Sequence, residues 1–377
     1  MSRMIKNIRT LQRAIAALAS VVFLGFGLVA CDNPAGGSGG GGTPDPFAGF
    51  APGLYQLSPE ALLLAGSGTD PIQSPDDGYN IVDAIDRVND SGGEYTLLVG
   101  ANITLAGDND RGLNASGARL TIIGIGGERR ISLSSNGRMF TVGAAGQTGI
   151  SLSIGNNITL VGRNQDAVGE NNNQTLVLIQ YGASLTMNAG ARITGNTASG
   201  NSQAGGVHVN GAGSVFTMKG GVIAGNAVTG IISGGGVRVG SGASFRMYGG
   251  YIENNEARST TGIIGGGVFI NEAASAFYML GGTVRNNRAP YSTAGAGGVR
   301  LSDGALRIVS GVIYGSGGAN ANTGAGYAAL MLSTVATAHR GTIDGSGNWV
   351  QDDELESGAG LRGTSETIRV TNGELAN

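Results

Sequence analysis

From Leu176 onward the chain repeats itself about every thirty residues, and this period limits its fold more than any other feature. The first marker is a Met followed by a Gly pair: Met218-Lys219-Gly220-Gly221, Met247-Tyr248-Gly249-Gly250 and Met279-Leu280-Gly281-Gly282. Weaker copies begin at Met187 and Ile308, so successive spacings are 31, 29, 32 and 29 residues. A second marker is Gly-Gly-Val-x-aliphatic, at Val207-His208-Val209, Val237-Arg238-Val239, Val268-Phe269-Ile270 and Val299-Arg300-Leu301. A third is an aliphatic residue three positions before an Asn: Ile193/Asn196, Ile223/Asn226, Ile252/Asn255 and Val284/Asn287. Three markers in one register describe a solenoid, in which each unit buries its apolar face only against its neighbours.

Each unit holds three short alternating runs, such as Val237–Val239, Ser244–Met247 and Tyr251–Glu253. Runs this short, with period two, are strands rather than helices. Three strands per unit make one coil of an all-β, single-stranded parallel β-helix, with coils stacked at ~4.8 Å. Gly supplies the tight turns and makes up 71 of the 377 residues. It shows no strict every-third spacing, which excludes collagen. At 41% hydrophobic and 13% charged, the chain is not a solvated disordered one. Asn196, Asn226, Asn255 and Asn287 read as a structural ladder of stacked amides, because buried amides need partners.

Upstream, Tyr95–Val99, Ile103–Leu105, Leu120–Ile123, Ile131–Leu133, Phe140–Val142, Leu152–Ile154 and Ile158–Val161 continue the pattern less regularly. Downstream, Leu330–Leu332 and Gly341–Ile343 suggest one more coil, and Gly360-Leu361 with Ile368–Val370 a last, incomplete one. About nine coils would form a rod near ~45 Å long. The open end of such a rod needs a cover. Residues 80–89 predict a capping helix, with Asn80 as N-cap, Asp83 at N3, and Ile81, Val82, Ile85 and Val88 on one face. No cap is evident at the carboxy-terminal end.

The amino terminus reads as an address. Arg3, Lys6, Arg9 and Arg13 precede an uncharged run from Ala14 to Ala30, which is a basic region followed by an apolar one. Leu28-Val29-Ala30-Cys31 resembles a bacterial lipobox, and the resemblance implies cleavage before Cys31 and diacylation of its thiol. Cys31 is the sole Cys, so no intrachain disulfide competes for it. Asp32 to Phe47 is Gly-rich and reads as a flexible tether. The organisation is therefore residues 1–30 signal, 31–47 tether, 48–94 amino-terminal segment with the helix, and 95–377 β-helix.

At these residues the chain resembles the pectin-lyase-like right-handed β-helix superfamily. More closely, it is similar to repeat-rich surface lipoproteins of host-associated spirochaetes. These carry Gly-Gly-Gly-Val-x-Val, Phe-x-Met-x-Gly-Gly and x-Ile-x-Gly-Asn units after a block like Gly155–Arg163. The resemblance implies a right-handed parallel β-helix and a function among lyases, hydrolases, adhesins and surface proteins. The catalytic sets of the superfamily are not assembled. The hydrolases need paired carboxylates across a groove. Here Asp76-Asp77 and Asp352-Asp353 are isolated pairs, and the only two His are His208 and His339. The lyases need an Arg beside clustered acids, and few acids stack near Arg238, Arg246, Arg300 or Arg307. Glu253 and Arg285 read as a surface ion pair. Asp108-Asn109-Asp110 opens like a Ca²⁺ loop but has Arg119 at the position that requires Glu. No cofactor or metal is expected, and a net charge of −3 gives no nucleic-acid footprint.

Two outward stripes are candidate ligand surfaces. Position two of the first strand reads His208, Arg238, Phe269, Arg300, Met331. Position two of the second reads Thr217, Arg246, Tyr278, Arg307. Arg forks and aromatic rings one strand apart suit acidic glycans; the alternative is an ordinary sheet face with cross-strand pairing. The expectation is a lipid-anchored, non-catalytic binding or adhesion protein of the bacterial cell envelope, displayed at the outer membrane or cell surface. Its partners would be the membrane, through Cys31, and a polysaccharide or host surface. A polysaccharide lyase or hydrolase, and a purely structural envelope protein, are the alternatives.

Overall fold

In a computed structural model, residues 61–65, 71–72, 81–164, 169–346, 348–355 and 362–375 are described. The basic leader, Cys31, the tether, Asp76-Asp77, Asn80 and Gly360-Leu361 lie outside the described residues. The chain winds as a parallel β-solenoid of about 8 turns with ~31 residues per coil. One coil shows the path. Val237–Gly240 turns into Ser244–Met247, which turns into Tyr251–Glu253. The chain then rounds a corner at Asn255 and returns through Glu256–Ala257 and Ile264–Gly265 to the next coil. Successive coils pair in register and build three long sheets: sheet I through Ser244–Met247, sheet II through Tyr251–Glu253 and sheet III through Val237–Gly240.

Register puts like side chains over like. Met187, Met218, Met247, Met279 and Ile308 are successive partners in sheet I, all buried, and form one internal column. Beside them Phe216, Phe245 and Phe277 stack with ring centroids 4.8 Å and 4.6 Å apart and planes within 8° and 7°. The ring separation is the strand separation, so the backbone ladder itself sets the aromatic contact. The Gly pair after each Met has a steric reason. Gly250 sits at φ +87°, and a Cβ there would meet the Gly221 carbonyl and the Met218 methyl group.

The corner Asn residues form a continuous buried ladder. Each Oδ1 from Asn255 onward accepts from both the backbone N–H and the Nδ2 of the preceding Asn. Asn255 Oδ1 takes them from Asn226 at 3.1 and 3.2 Å, and Asn287 Oδ1 takes them from Asn255 at 3.0 and 3.0 Å. Nδ2 also donates to a carbonyl one coil back, as from Asn255 to Ile223 at 2.9 Å. Asn172 and Asn322 extend the ladder beyond the four residues named from sequence. The residue before each of the four Asn residues from Asn196 to Asn287 adopts the left-handed region: Gly195, Gly225, Asn254 and Asn286 at φ 69°, 64°, 54° and 54°. Gly and Asn enter that region at least cost, which explains why these two types occupy the position.

The two ends are closed by reversing strand direction. At the amino-terminal end Ala61–Ala65 runs antiparallel to Glu94–Val99, and Pro71–Ile72 antiparallel to Ala61–Ala65. Helix α1 spans Ile81–Ser91 and buries Ile81, Ala84, Ile85 and Val88. Asn89 fastens it, donating to the Gly112 carbonyl and accepting from Asn114 N–H, both at 2.9 Å. At the carboxy-terminal end Leu330–Leu332 adds the expected further parallel coil on Val299–Leu301, but the structure corrects the expectation of a last, incomplete parallel coil and no cap. Thr337–Ile343 turns back into Trp349–Glu354, while Arg362–Thr364 and Ile368–Thr371 pair antiparallel with Leu330–Leu332 and Gly311–Ile313. These antiparallel strands occupy the pairing groups that another coil would have used.

Replacing Asn255 with Ala removes an amide from the middle of the ladder and strands the Asn226 N–H and the Ile223 carbonyl. Each buried orphan costs about 1–3 kcal/mol. Urea unfolding of Asn255→Ala is expected to show a loss of at least ~2 kcal/mol, and a loss below ~0.5 kcal/mol would deny the ladder its stabilising part.

Candidate binding surface

The first stripe does not face solvent. Arg238, Phe269 and Arg300 are 4%, 0% and 1% exposed, Met331 is buried and His208 is half-buried. This corrects the expectation of an outward ligand stripe on sheet III. The return segment of each coil folds over that face: Ser233–Gly234, Ile264–Gly265 and Gly295–Ala296 pair into a small covering sheet. Gly permits the close approach, since a Cβ at Gly234 would strike the Val237 carbonyl and crowd Phe269. Ala198, Val228, Ala257, Ile264 and Ala289 form a second small core in this layer. The two Arg residues act as clips. Arg238 Nε donates to the Ile232 carbonyl at 3.1 Å, and Arg300 Nε donates to the Ala294 carbonyl at 2.9 Å. Arg300 also donates to the Leu301 carbonyl, and burial lowers its guanidinium to about 10, still charged at neutral pH. Arg238 donates to His208 Nε2 and lies 3.8 Å from Glu272. Burial lowers the Arg238 guanidinium, and the Glu272 charge partly offsets this. His208 is held neutral: burial first, then the charges of Arg238 and Arg138, push it down to about 3.

The second stripe is open. Thr217, Arg246, Tyr278, Arg307 and His339 are successive partners on the outer face of sheet I. Arg246 and Arg307 flank the Tyr278 ring, with guanidinium carbons 5.8 and 5.1 Å from its centroid. Arg307 Nη1 also donates to the Tyr278 hydroxyl at 2.5 Å. Such cation–ring contacts stabilise by about 0.5–1 kcal/mol each at exposed sites. They therefore hold the side chains in place without consuming their charge.

The structure adds residues that the stripe reading missed. Tyr248 and Tyr251, 48% and 39% exposed, continue the surface around the corner onto sheet II. Lys219 stands exposed one coil before Tyr248. Arg285 lies over the Tyr251 ring at 4.6 Å and pairs with Glu253 at 2.8 Å, as the sequence reading expected of Glu253 and Arg285. The missing signal was the turn: two Tyr bracketing a Gly pair point outward on both sides of one corner. The surface thus carries three Tyr rings and three cations, Lys219, Arg246 and Arg307, that pair with no carboxylate among the described residues, on a chain of net charge −3.

The nearest acids stand at the end of this row: Glu354, the cross-strand partner of His339, pairs with Arg362 at 2.6 Å. Asp352 and Asp353 bind Arg340 at 2.7 and 3.1 Å on the closing hairpin. Asp108 Oδ1 accepts from Asp110 N–H in a local turn. Among the described residues no three His, Cys, Asp or Glu side chains converge as metal ligands, and no helix is long and apolar enough to cross a membrane. No protein-family model, curated protein or solved structure matches the chain.

The lowered His208 imidazole makes stability pH-dependent. Unfolded, the imidazole titrates near its ordinary 6.5; folded, near 3. Between these values the unfolded chain binds a proton that the folded chain does not, so stability is full above about pH 6.5 and falls as the pH drops. The slope reaches at most ~1.4 kcal/mol per pH unit. In His208→Gln the urea midpoint is expected to vary less across this window than in the parent chain. An equal slope in both would remove His208 as the cause.

Proposed function

We propose that this chain is a lipid-anchored display rod of the bacterial cell envelope that binds an anionic glycan without turning it over. The observation that carries the reading is the open Arg246–Tyr278–Arg307 stack on a rigid sheet. Guanidinium forks fit carboxylate, sulfate or phosphate groups in two-point contact. The Tyr278 hydroxyl, held between them by Arg307, keeps its own O–H to donate to a sugar oxygen. A sheet locked on its inner side by the Met and Phe columns presents these groups pre-ordered, which lowers the entropic cost of binding. The lipobox-like Leu28–Cys31 and the tether that follows support display. Several acyl chains, each contributing roughly 0.8 kcal/mol per buried methylene, would anchor the rod durably. The Gly-rich segment would hold it away from the headgroups. The three acids at the end of the ridge, Asp352, Asp353 and Glu354, are engaged by Arg340 and Arg362.

The test is a glycan array probed with the full chain in detergent. Binding to acidic glycans without release of reducing or unsaturated ends is expected. Arg246→Ala combined with Arg307→Ala should weaken it at least ~tenfold, the equivalent of ~1.4 kcal/mol, with unchanged thermal unfolding. Unweakened binding by that variant, or product release, overturns the reading. The anchor is checked separately: Cys31→Ala should move the chain from the membrane to the soluble fraction, and retention in the membrane would deny the thiol its part.

A further inference from the structure

The basic ridge is the second half of a longer row. Five coils before it, the same outward position of sheet I holds only hydroxyl side chains: Thr96, Thr121, Ser153, Thr186 and Thr217. All five are partly exposed, and none hydrogen-bonds another described protein group. Each keeps one donor and two acceptor positions for an outside partner. Beside them Ser151 and Ser184 form a parallel hydroxyl row, and an open trough of about 340 Å³ runs past Glu94, Arg119 and Ser153. At Arg246 the character changes to cation, ring and cation, and then to His339, whose buried Nδ1 has no partner. Of the other two long sheets, sheet III has its outer face covered by return segments, and sheet II carries the Glu253–Arg285 ion pair on its outer face.

We infer that this row is one continuous track for a linear glycan lying along the rod axis, with acidic groups on alternate sugars. The inference rests on the glycan reading of the Arg246–Tyr278–Arg307 stack and adds the ligand's direction, repeat and length. Coils advance by ~4.8 Å, close to the advance of an extended polysaccharide per sugar. Cation, ring and cation on successive coils match acid, neutral and acid sugars: the outer two seat their anions on Arg246 and Arg307, and the middle sugar meets the ring edge and hydroxyl of Tyr278 between the two guanidinium groups. Sugars beyond Arg246 run onto the hydroxyl row, where Ser and Thr exchange hydrogen bonds with sugar hydroxyls. Tyr248 and Tyr251 flank the track at the sheet I–sheet II corner and take no sugar of the main chain.

The test uses size-fractionated hyaluronan oligosaccharides, in which acidic and neutral sugars alternate, with the full chain in detergent and calorimetry as the readout. A tetrasaccharide covers the Arg–Tyr–Arg stack; a decasaccharide also reaches the hydroxyl row. The decasaccharide is expected to bind about tenfold tighter. Ser153→Ala combined with Thr186→Val should erase that gain and leave tetrasaccharide affinity unchanged, because both side chains point away from the core. Arg246→Ala should weaken both ligands. Equal affinity for the two lengths, or a full gain in the hydroxyl variant, overturns the continuous track while the basic stack stands. No binding of either length by the parent chain overturns the track together with the alternating repeat it assumes. An array that still shows another acidic glycan would keep the broader reading apart from this failure.

Discussion

The structure depends on stacking one coil directly over the next without slip. A parallel ladder fixes the spacing but tolerates a shift of register, and a shift by one residue would turn every inward side chain outward. The corner Asn residues remove that freedom. From Asn255 onward each amide oxygen accepts from both the backbone N–H and the amide of the preceding Asn, so a slipped coil would strand three polar groups in a dry interior. The Met and Phe columns add apolar burial in the same register. Directional bonds at the corner and non-directional packing in the core therefore favour one alignment.

This rigidity accounts for the difference between the two outer faces. Sheet III carries Arg238, Phe269 and Arg300 at positions that alternate outward, yet the return segment of each coil lies over them. A bare face of that composition would leave aromatic and aliphatic surface in water. Covering it buries Phe269, and Arg238 and Arg300 find backbone carbonyls in the cover. Sheet I has short turns at both ends, Gly240 to Ala243 and Tyr248 to Gly250, and no segment long enough to fold over it. Its outer face stays open, and its Arg, Tyr and hydroxyl side chains remain available. The ends follow the same logic of exposed pairing groups, with antiparallel strands closing both and acids on the final edge strand Trp349–Glu354.

The fold was largely legible because a solenoid writes its period into the chain. Met218, Met247 and Met279 announced an internal column, and Asn226, Asn255 and Asn287 a corner, since the local environment recurs in every coil. Helix α1 was legible from one apolar face. The carboxy-terminal closure was not: Ile368-Arg369-Val370 has the same alternation whether it pairs parallel or antiparallel, because a strand's side-chain period carries no direction. Asn322 was hidden by a longer insertion, 35 residues after Asn287 instead of the usual spacing.

The candidate site divides along the same line. Sequence alone determined which residues share a row, because register follows from the repeat; Arg246, Tyr278 and Arg307 could be aligned by counting. It also placed Arg238, Phe269 and Arg300 in a row of their own. Tertiary structure alone decided which row meets solvent. Alternation within a strand separates the two sides of a sheet but does not say whether another layer covers the outer side. That depends on where a return segment between corner and strand lies in space, and its Gly-rich composition permits many paths.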